Sequence, residues 1–168
     1  MRRIVLMGFM GAGKTTVGKS LSQKLSCKFL DTDEEIEREQ NRKISEIFEK
    51  DGEEFFRKLE TELLWKLQNS KEPFVLSIGG GMPLREENRE LLQKIGTVIY
   101  LKTSEEEIVK RVSGDESRPL LSGADLEKKV RRLMAERESI YVKTAGKEVL
   151  TDEKSPEEIA EEIENIIK

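Results

Sequence analysis

Gly8-Phe9-Met10-Gly11-Ala12-Gly13-Lys14-Thr15 stands directly after the apolar run Ile4-Val5-Leu6-Met7. It leads directly into a segment, Thr15 to Leu25, whose Val17, Leu21 and Leu25 recur at helical spacing. Buried strand, glycine turn of the form G-x-x-x-x-G-K-[ST], and amphipathic helix make one physical unit in that order. The glycines let successive backbone N–H groups turn inward around a phosphate, and the helix adds the positive end of its dipole. Gly11, Ala12 and Gly13 are therefore expected to cradle phosphate with their backbone. Lys14 is expected to reach the β- and γ-phosphates and the Thr15 hydroxyl to ligate Mg²⁺. The plain alternative is a turn that merely joins strand to helix, and the strand–turn–helix context argues against it.

Outward from this unit the chain alternates short apolar runs with longer amphipathic ones, the pattern of a parallel sheet covered by helices. Phe29-Leu30 leads into Asp31-Thr32-Asp33, Phe74 to Ile78 ends in Gly79-Gly80-Gly81, Thr97 to Leu101 is a fourth strand, and Glu148-Val149-Leu150 a weak fifth. Ser104-Glu105-Glu106-Glu107 and Ser155-Pro156-Glu157-Glu158 are helix starts, the second with Pro at the first helical position. Two segments interrupt the alternation. Residues from about 34 to 70 are helical in pattern throughout, and residues 113–124 are loop-like with Gly114 and Gly123 near their ends, which predicts a lid. The expected architecture is one α/β domain with two functional insertions.

Composition narrows the chemistry. The 168 residues carry 30 Lys+Arg against 34 Asp+Glu, a net charge of −4, so nucleic acid and anionic membrane are not expected partners. No apolar stretch approaches the ~18 residues that cross a bilayer, and the opening Met-Arg-Arg run stops at Gly8 without a signal-type cleavage site. With no histidine there is no imidazole relay or His metal site, and with one cysteine there is no internal disulfide; a reducing, cytoplasmic setting is expected.

The phosphate loop does not say what the phosphate is for. No Asn-Lys-x-Asp string for guanine occurs, and the third strand does not end in the Asp-Glu of a motor. Asp31 and Asp33 follow the second strand, where open α/β sheets place ligands. One can serve a metal shell and the other orient an attacking hydroxyl, although Asp is also a common helix N-cap. Gly79-Gly80-Gly81 weakens a fold unless something must approach its backbone closely. Arg118, in Arg118-Pro119-Leu120-Leu121, can neutralise charge on transferring phosphate if its loop closes, although an arginine in a loop is more often solvated. Gly52 to Glu60 begins a helix with two adjacent aromatics and reads equally as Phe55 or Phe56 packing into the core with Arg57 reaching to solvent, and Glu136-Arg137-Glu138-Ser139-Ile140-Tyr141 as a charged helix face.

Together these strings (GFMGAGKTT, DTD at 31–33, GEEFFRKLE at 52–60, GGG at 79–81, RPLL at 118–121, ER-x-x-x-Y at 136–141 and TDEKSP at 151–156) resemble shikimate kinase, in that family's order and over nearly the whole chain. The resemblance implies a three-layer P-loop fold similar to nucleoside monophosphate kinases, with a five-stranded parallel sheet flanked by helices. It implies a single kinase domain over 1–168, a helical substrate-binding insertion at about 33–60 and a lid at about 112–124. The reaction it implies is transfer of the γ-phosphate of ATP to the 3-hydroxyl of shikimate, with Mg²⁺, in aromatic amino-acid biosynthesis; separately, the chain is expected to be a monomer. The catalytic residues would be Lys14, Asp33 and Arg118. Asp33 would contact the hydroxyls of shikimate, Arg57 and Arg137 its carboxylate, and Gly79, Gly80 and Gly81 its ring. Arg111 and Lys154 would border the adenine, Lys154 standing where the family frequently has arginine. Thr15 and Asp31 would serve the metal. A related metabolite kinase such as gluconate kinase, or a P-loop module that holds nucleotide without chemistry, would share much of this pattern.

Overall fold

A computed structural model describes residues 2–113 and 125–168. The residues 114–124, which hold Arg118 and nearly all of the expected lid, lie outside the described residues.

Five strands form one sheet: β1 (Arg3–Met7), β2 (Lys28–Asp31), β3 (Phe74–Ser77), β4 (Thr97–Lys102) and β5 (Lys147–Leu150). Their order is β2-β3-β1-β4-β5 and every pair is parallel. The central strands are apolar almost throughout because helices cover both faces; Val5, Leu6, Val75, Leu76, Ile99 and Leu101 are fully buried. β2 and β5 are edges and only partly buried, and β5 buries Val149 alone.

The helices are α1 (Lys14–Lys24), α2 (Thr32–Gln40), α3 (Ile44–Asp51), α4 (Glu53–Gln68), α5 (Glu86–Ile95), α6 (Glu105–Val112), α7 (Leu126–Thr144) and α8 (Pro156–Ile167). α1 packs on α8 and β3, and α4 on α5. Gly18 in α1 is a packing glycine, since a Cβ there would run into the Phe29 ring of β2. Both expected helix starts are present: the side chain of Ser104 accepts from Glu107 N at 3.2 Å and that of Ser155 from Glu158 N at 3.1 Å.

The helical stretch after β2 is three helices. α2 stops at Asn41, in the left-handed region at φ 52°, and Gly52 at φ 88° closes α3 and opens α4. Ile36, Ile47, Phe56 and Leu63 give this segment its own small apolar nucleus, with the Phe48 and Phe56 rings 5.0 Å apart. The segment packs through α2 against β2 and α4, at the edge of the sheet.

This topology decides where the site is. The carboxyl ends of β1, β2 and β3 are neighbours, so the loop after β1, the Asp31-Thr32-Asp33 turn after β2 and the three glycines after β3 open on one crevice.

Candidate active site

The crevice is a cleft of about 550 Å³ bordered by Lys14, Asp31, Asp33, Gly80, Arg111 and Lys154, among others. At its floor Gly11 and Gly13 take φ of 85° and 94°, a region that side-chain-bearing residues avoid, and this curls the loop around its own N–H groups. Gly13 caps α1 without a side chain and the first turn itself holds no acid, so the positive end of the helix is open to the cleft. Lys14 lies back across the loop, its Nζ donating to Gly8 O at 2.7 Å and Phe9 O at 3.1 Å. Arg111 reaches over from α6 to donate to Gly11 O at 2.8 Å. Across the cleft, Lys154 donates to Leu150 O at 3.0 Å and pairs with Glu162 at 2.7 Å.

Asp31 divides its oxygens between two tasks. Oδ1 caps α2, accepting from Asp33 N at 2.9 Å and Glu34 N at 3.2 Å, while Oδ2 faces the Thr15 hydroxyl at 3.5 Å. The N-cap and metal-shell readings of Asp31 are therefore compatible. The cap also aims Asp33 inward. Burial, with the nearby charge of Asp31, raises the Asp33 carboxyl to about 6 against the opposing pull of Lys14, so it is largely ionised at neutral pH.

The triglycine turn is where the second half of the site meets. A Cβ on Gly79 would lie 3.2 Å from Glu60 Oε2 and 3.3 Å from Asp33 Oδ1; on Gly80, 3.1 Å from Arg137 Nη1 and 3.2 Å from the Tyr141 hydroxyl; on Gly81 it would run into the Arg57 guanidinium. The close approach expected at these glycines is thus made by the protein's own charged side chains, drawn from α2, α4 and α7.

Arg57 and Arg137 differ in their commitments. Arg57 is paired with Glu60 at 2.7 Å and Glu53 at 3.3 Å and lies 5.3 Å from the Phe56 ring. Arg137 is 6% exposed, has no carboxylate partner among the described residues, and meets the Tyr141 hydroxyl, while one buried nitrogen, Nη1, makes no well-formed hydrogen bond. Its guanidinium rests over the ring of Phe9, in the phosphate loop, at 5.6 Å.

Three contributors lie within the quoted strings but were given no role from the sequence. Thr32, fully buried, accepts from Gly79 N at 3.1 Å and fastens the turn to α2. Tyr141 donates to Gly80 O at 2.6 Å. Glu60 is fully buried with Oε2 unpartnered, and burial lifts its carboxyl to about 7 despite Arg57. The sequence signals for Glu60 are its place at the end of GEEFFRKLE and its spacing, one helical turn after Arg57.

Glu60 carries a pH consequence. Its folded pKa is raised from 4.5 to about 7, so the native state holds the proton more tightly than the unfolded chain. That stability is full below about 4.5 and is lost as pH rises through about 7. Glu60→Gln is expected to flatten the fall in melting temperature between about pH 5 and 7; thermal melts across that range with the same slope as the parent would refute the assignment.

A parallel sheet with a phosphate loop after its central strand, and a pocket of carboxylates and arginines beside it, defines an α/β P-loop kinase. The family model for shikimate kinase matches residues 10–168. The shikimate kinase of Persephonella marina is 43% identical over 163 residues, covering 97% of each chain. That of Caldanaerobacter subterraneus is 44% identical over 163 residues, covering 97% of this chain and 94% of its own. Among solved structures, shikimate kinase from Acinetobacter baumannii in complex with shikimate superposes with a TM-score of 0.93 at 41% identity, covering 99% of this chain and 93% of that one. The Aquifex aeolicus shikimate kinase gives a TM-score of 0.85 at 39% identity, covering 98% and 95%. The chain belongs to the shikimate kinase family, ATP-dependent kinases of shikimate.

Proposed function

We propose that this cleft transfers the γ-phosphate of ATP to the 3-hydroxyl of shikimate, giving shikimate 3-phosphate and ADP, a step of aromatic amino-acid biosynthesis. The observation that carries the acceptor is Arg137: a buried guanidinium with an unpartnered donor is costly, and it stands beside Gly80 with Arg57 at the adjacent glycine. A planar carboxylate seated between the two would satisfy both cations and fix the ring.

Gly11, Ala12, Gly13, Thr15 and Thr16 hold the triphosphate with Lys14, and Arg111 and Lys154 border the base. Gly79, Gly80 and Gly81 keep the turn low enough for the acid to enter. Arg118 is assigned to the phosphates from the resemblance alone. The donor set suits Mg²⁺: one hydroxyl and one carboxylate oxygen at 3.5 Å match a hard ion that keeps waters and phosphate oxygens as its other ligands, and no cluster of three or more acidic, His or Cys ligands exists among the described residues. When bound, Mg²⁺ supplies neutralisation of charge on the β- and γ-phosphate oxygens.

Asp33 holds the acceptor hydroxyl in line and takes its proton, a role suited to a carboxylate whose pKa is raised to about 6. Asp33→Asn is expected to lower kcat by about 10²-fold or more with ATP affinity near the parent's. A variant keeping most of its kcat would reduce Asp33 to a helix-start residue.

The whole reading is tested by ADP release with shikimate, with gluconate and without acceptor. Release with shikimate alone supports it; equal release with gluconate, or none with any acceptor, overturns it. The same reading takes the protein to be a cytoplasmic monomer without nucleic-acid or membrane partners, and the net charge of −4 supports the lack of polyanionic partners; no described helix is long and apolar enough to cross a membrane.

A further inference from the structure

We propose that Tyr141 is a positioning residue for the acceptor half of the site: its hydroxyl holds the Gly80 peptide at a fixed place between the two arginines, and so sets affinity for the carboxylate without touching it. The inference rests on the proposed carboxylate clamp of Arg57 and Arg137. Its own basis is geometric.

A triglycine turn has no side chains with which to hold itself in place, and glycine is the most mobile of backbones. Its shape must come from outside. Gly79 N is held by the Thr32 hydroxyl at 3.1 Å, and Gly79 O accepts from Met82 N at 3.1 Å. The next carbonyl, Gly80 O, accepts from Tyr141 at 2.6 Å. Peptide planes are rigid and no cis bond is present among the described residues, so fixing the Gly80 carbonyl toward α7 turns the Gly81 N–H the opposite way. Gly81 is the glycine against which Arg57 packs, and Gly80 the one beside Arg137. One hydrogen bond therefore sets the wall that separates the two guanidiniums.

The helix supplies the register. Arg137 and Tyr141 are four residues apart on α7 and share a face, so the hydroxyl that holds the turn and the guanidinium that faces it move together. α7 is itself tied to the sheet one residue on from Arg137. Glu138 accepts from the hydroxyl of Tyr100 on β4 and pairs with Lys102 at 3.1 Å. The Tyr100 and Tyr141 rings pack 5.3 Å apart, tilted by 59°. Two adjacent buried tyrosines thus have different duties: Tyr100 joins helix to sheet, and Tyr141 joins turn to helix.

That pair provides the control. Tyr141→Phe keeps the ring and its packing and deletes the hydroxyl, which donates to Gly80 O and also meets the Arg137 guanidinium; Tyr100→Phe deletes the same atom from the neighbouring ring. Steady-state kinetics should show Tyr141→Phe raising KM for shikimate roughly 3- to 10-fold, the scale of one net hydrogen bond, with kcat and KM for ATP within about twofold. Tyr100→Phe should leave KM for shikimate within about twofold. The idea is overturned if Tyr141→Phe leaves that KM unchanged, or if Tyr100→Phe raises it equally, which would make both tyrosines mere core residues. Arg137→Ala assayed beside them separates two kinds of failure. If it raises KM and Tyr141→Phe does not, the positioning role alone fails; if neither variant raises it, the clamp fails and this inference with it.

Discussion

A folded Lys14→Ala variant is expected to turn over shikimate about 10³-fold more slowly than the parent, or not measurably at all. In phosphoryl transfer there is little covalent chemistry for a protein to perform, so rate comes from placing charge where charge moves, here between the β- and γ-phosphates. Lys14 is built for that position. Its Nζ already holds Gly8 O at 2.7 Å and Phe9 O at 3.1 Å, spanning the start of the loop whose N–H groups face the phosphates. The truncation removes both the ammonium and this brace. The fold should survive it, because Ile4, Val5, Leu6, Met7 and Val17, which anchor the loop on either side, are buried in the core and untouched. Circular dichroism and a thermal melt close to the parent's, with ADP release lost, is the expected pair of results. Near-normal turnover in a folded variant would remove the phosphate loop from the mechanism.

How much of this was legible in the chain follows from which features are local. The central strands were read to within a residue or two because a strand buried on both faces has nothing but apolar side chains to show. β5 was weak because it is an edge that buries only Val149. α5 went unread although Leu91, Leu92 and Ile95 are buried, since its short apolar face is broken by Asn88. Asn88 is itself buried, held by Met82 O at 2.9 Å and the Thr61 hydroxyl at 2.7 Å, partners that no local pattern reveals. The site divides in the same way. A loop that binds phosphate by its backbone requires glycines at fixed spacing, and the spacing is visible. A buried acid such as Glu60, or a hydroxyl such as that of Thr32, has meaning only through neighbours far along the chain. The duality of Asp31 is of this kind too, for cap and metal-shell readings compete in sequence and coexist in space.

The second large effect is expected at the two arginines, where the structure makes the variants differ. Arg57→Ala and Arg137→Ala should each raise KM for shikimate, by roughly 30- to 1,000-fold for a loss of about 2–4 kcal/mol at a desolvated charge-assisted contact, with KM for ATP nearly unchanged. Replacement by Lys should restore only part, because a point charge cannot reproduce the planar fork. Stability should separate the pair. Arg57→Ala strands Glu60, which is fully buried and already has one oxygen without a partner, so a cation is lost and a carboxyl is left to take up a proton. Arg137→Ala instead removes a buried cation with no carboxylate partner among the described residues, so the loss of its contact with Phe9 is offset by relief of desolvation. The melting temperature of Arg137→Ala should therefore stay closer to the parent's than that of Arg57→Ala, while both lose shikimate. A residue retained at a cost to the empty protein is retained for what it binds. If Arg137→Ala proved the more destabilised and kept its KM, Arg137 would be an element of the core, and the anion its donor awaits would have to be sought elsewhere.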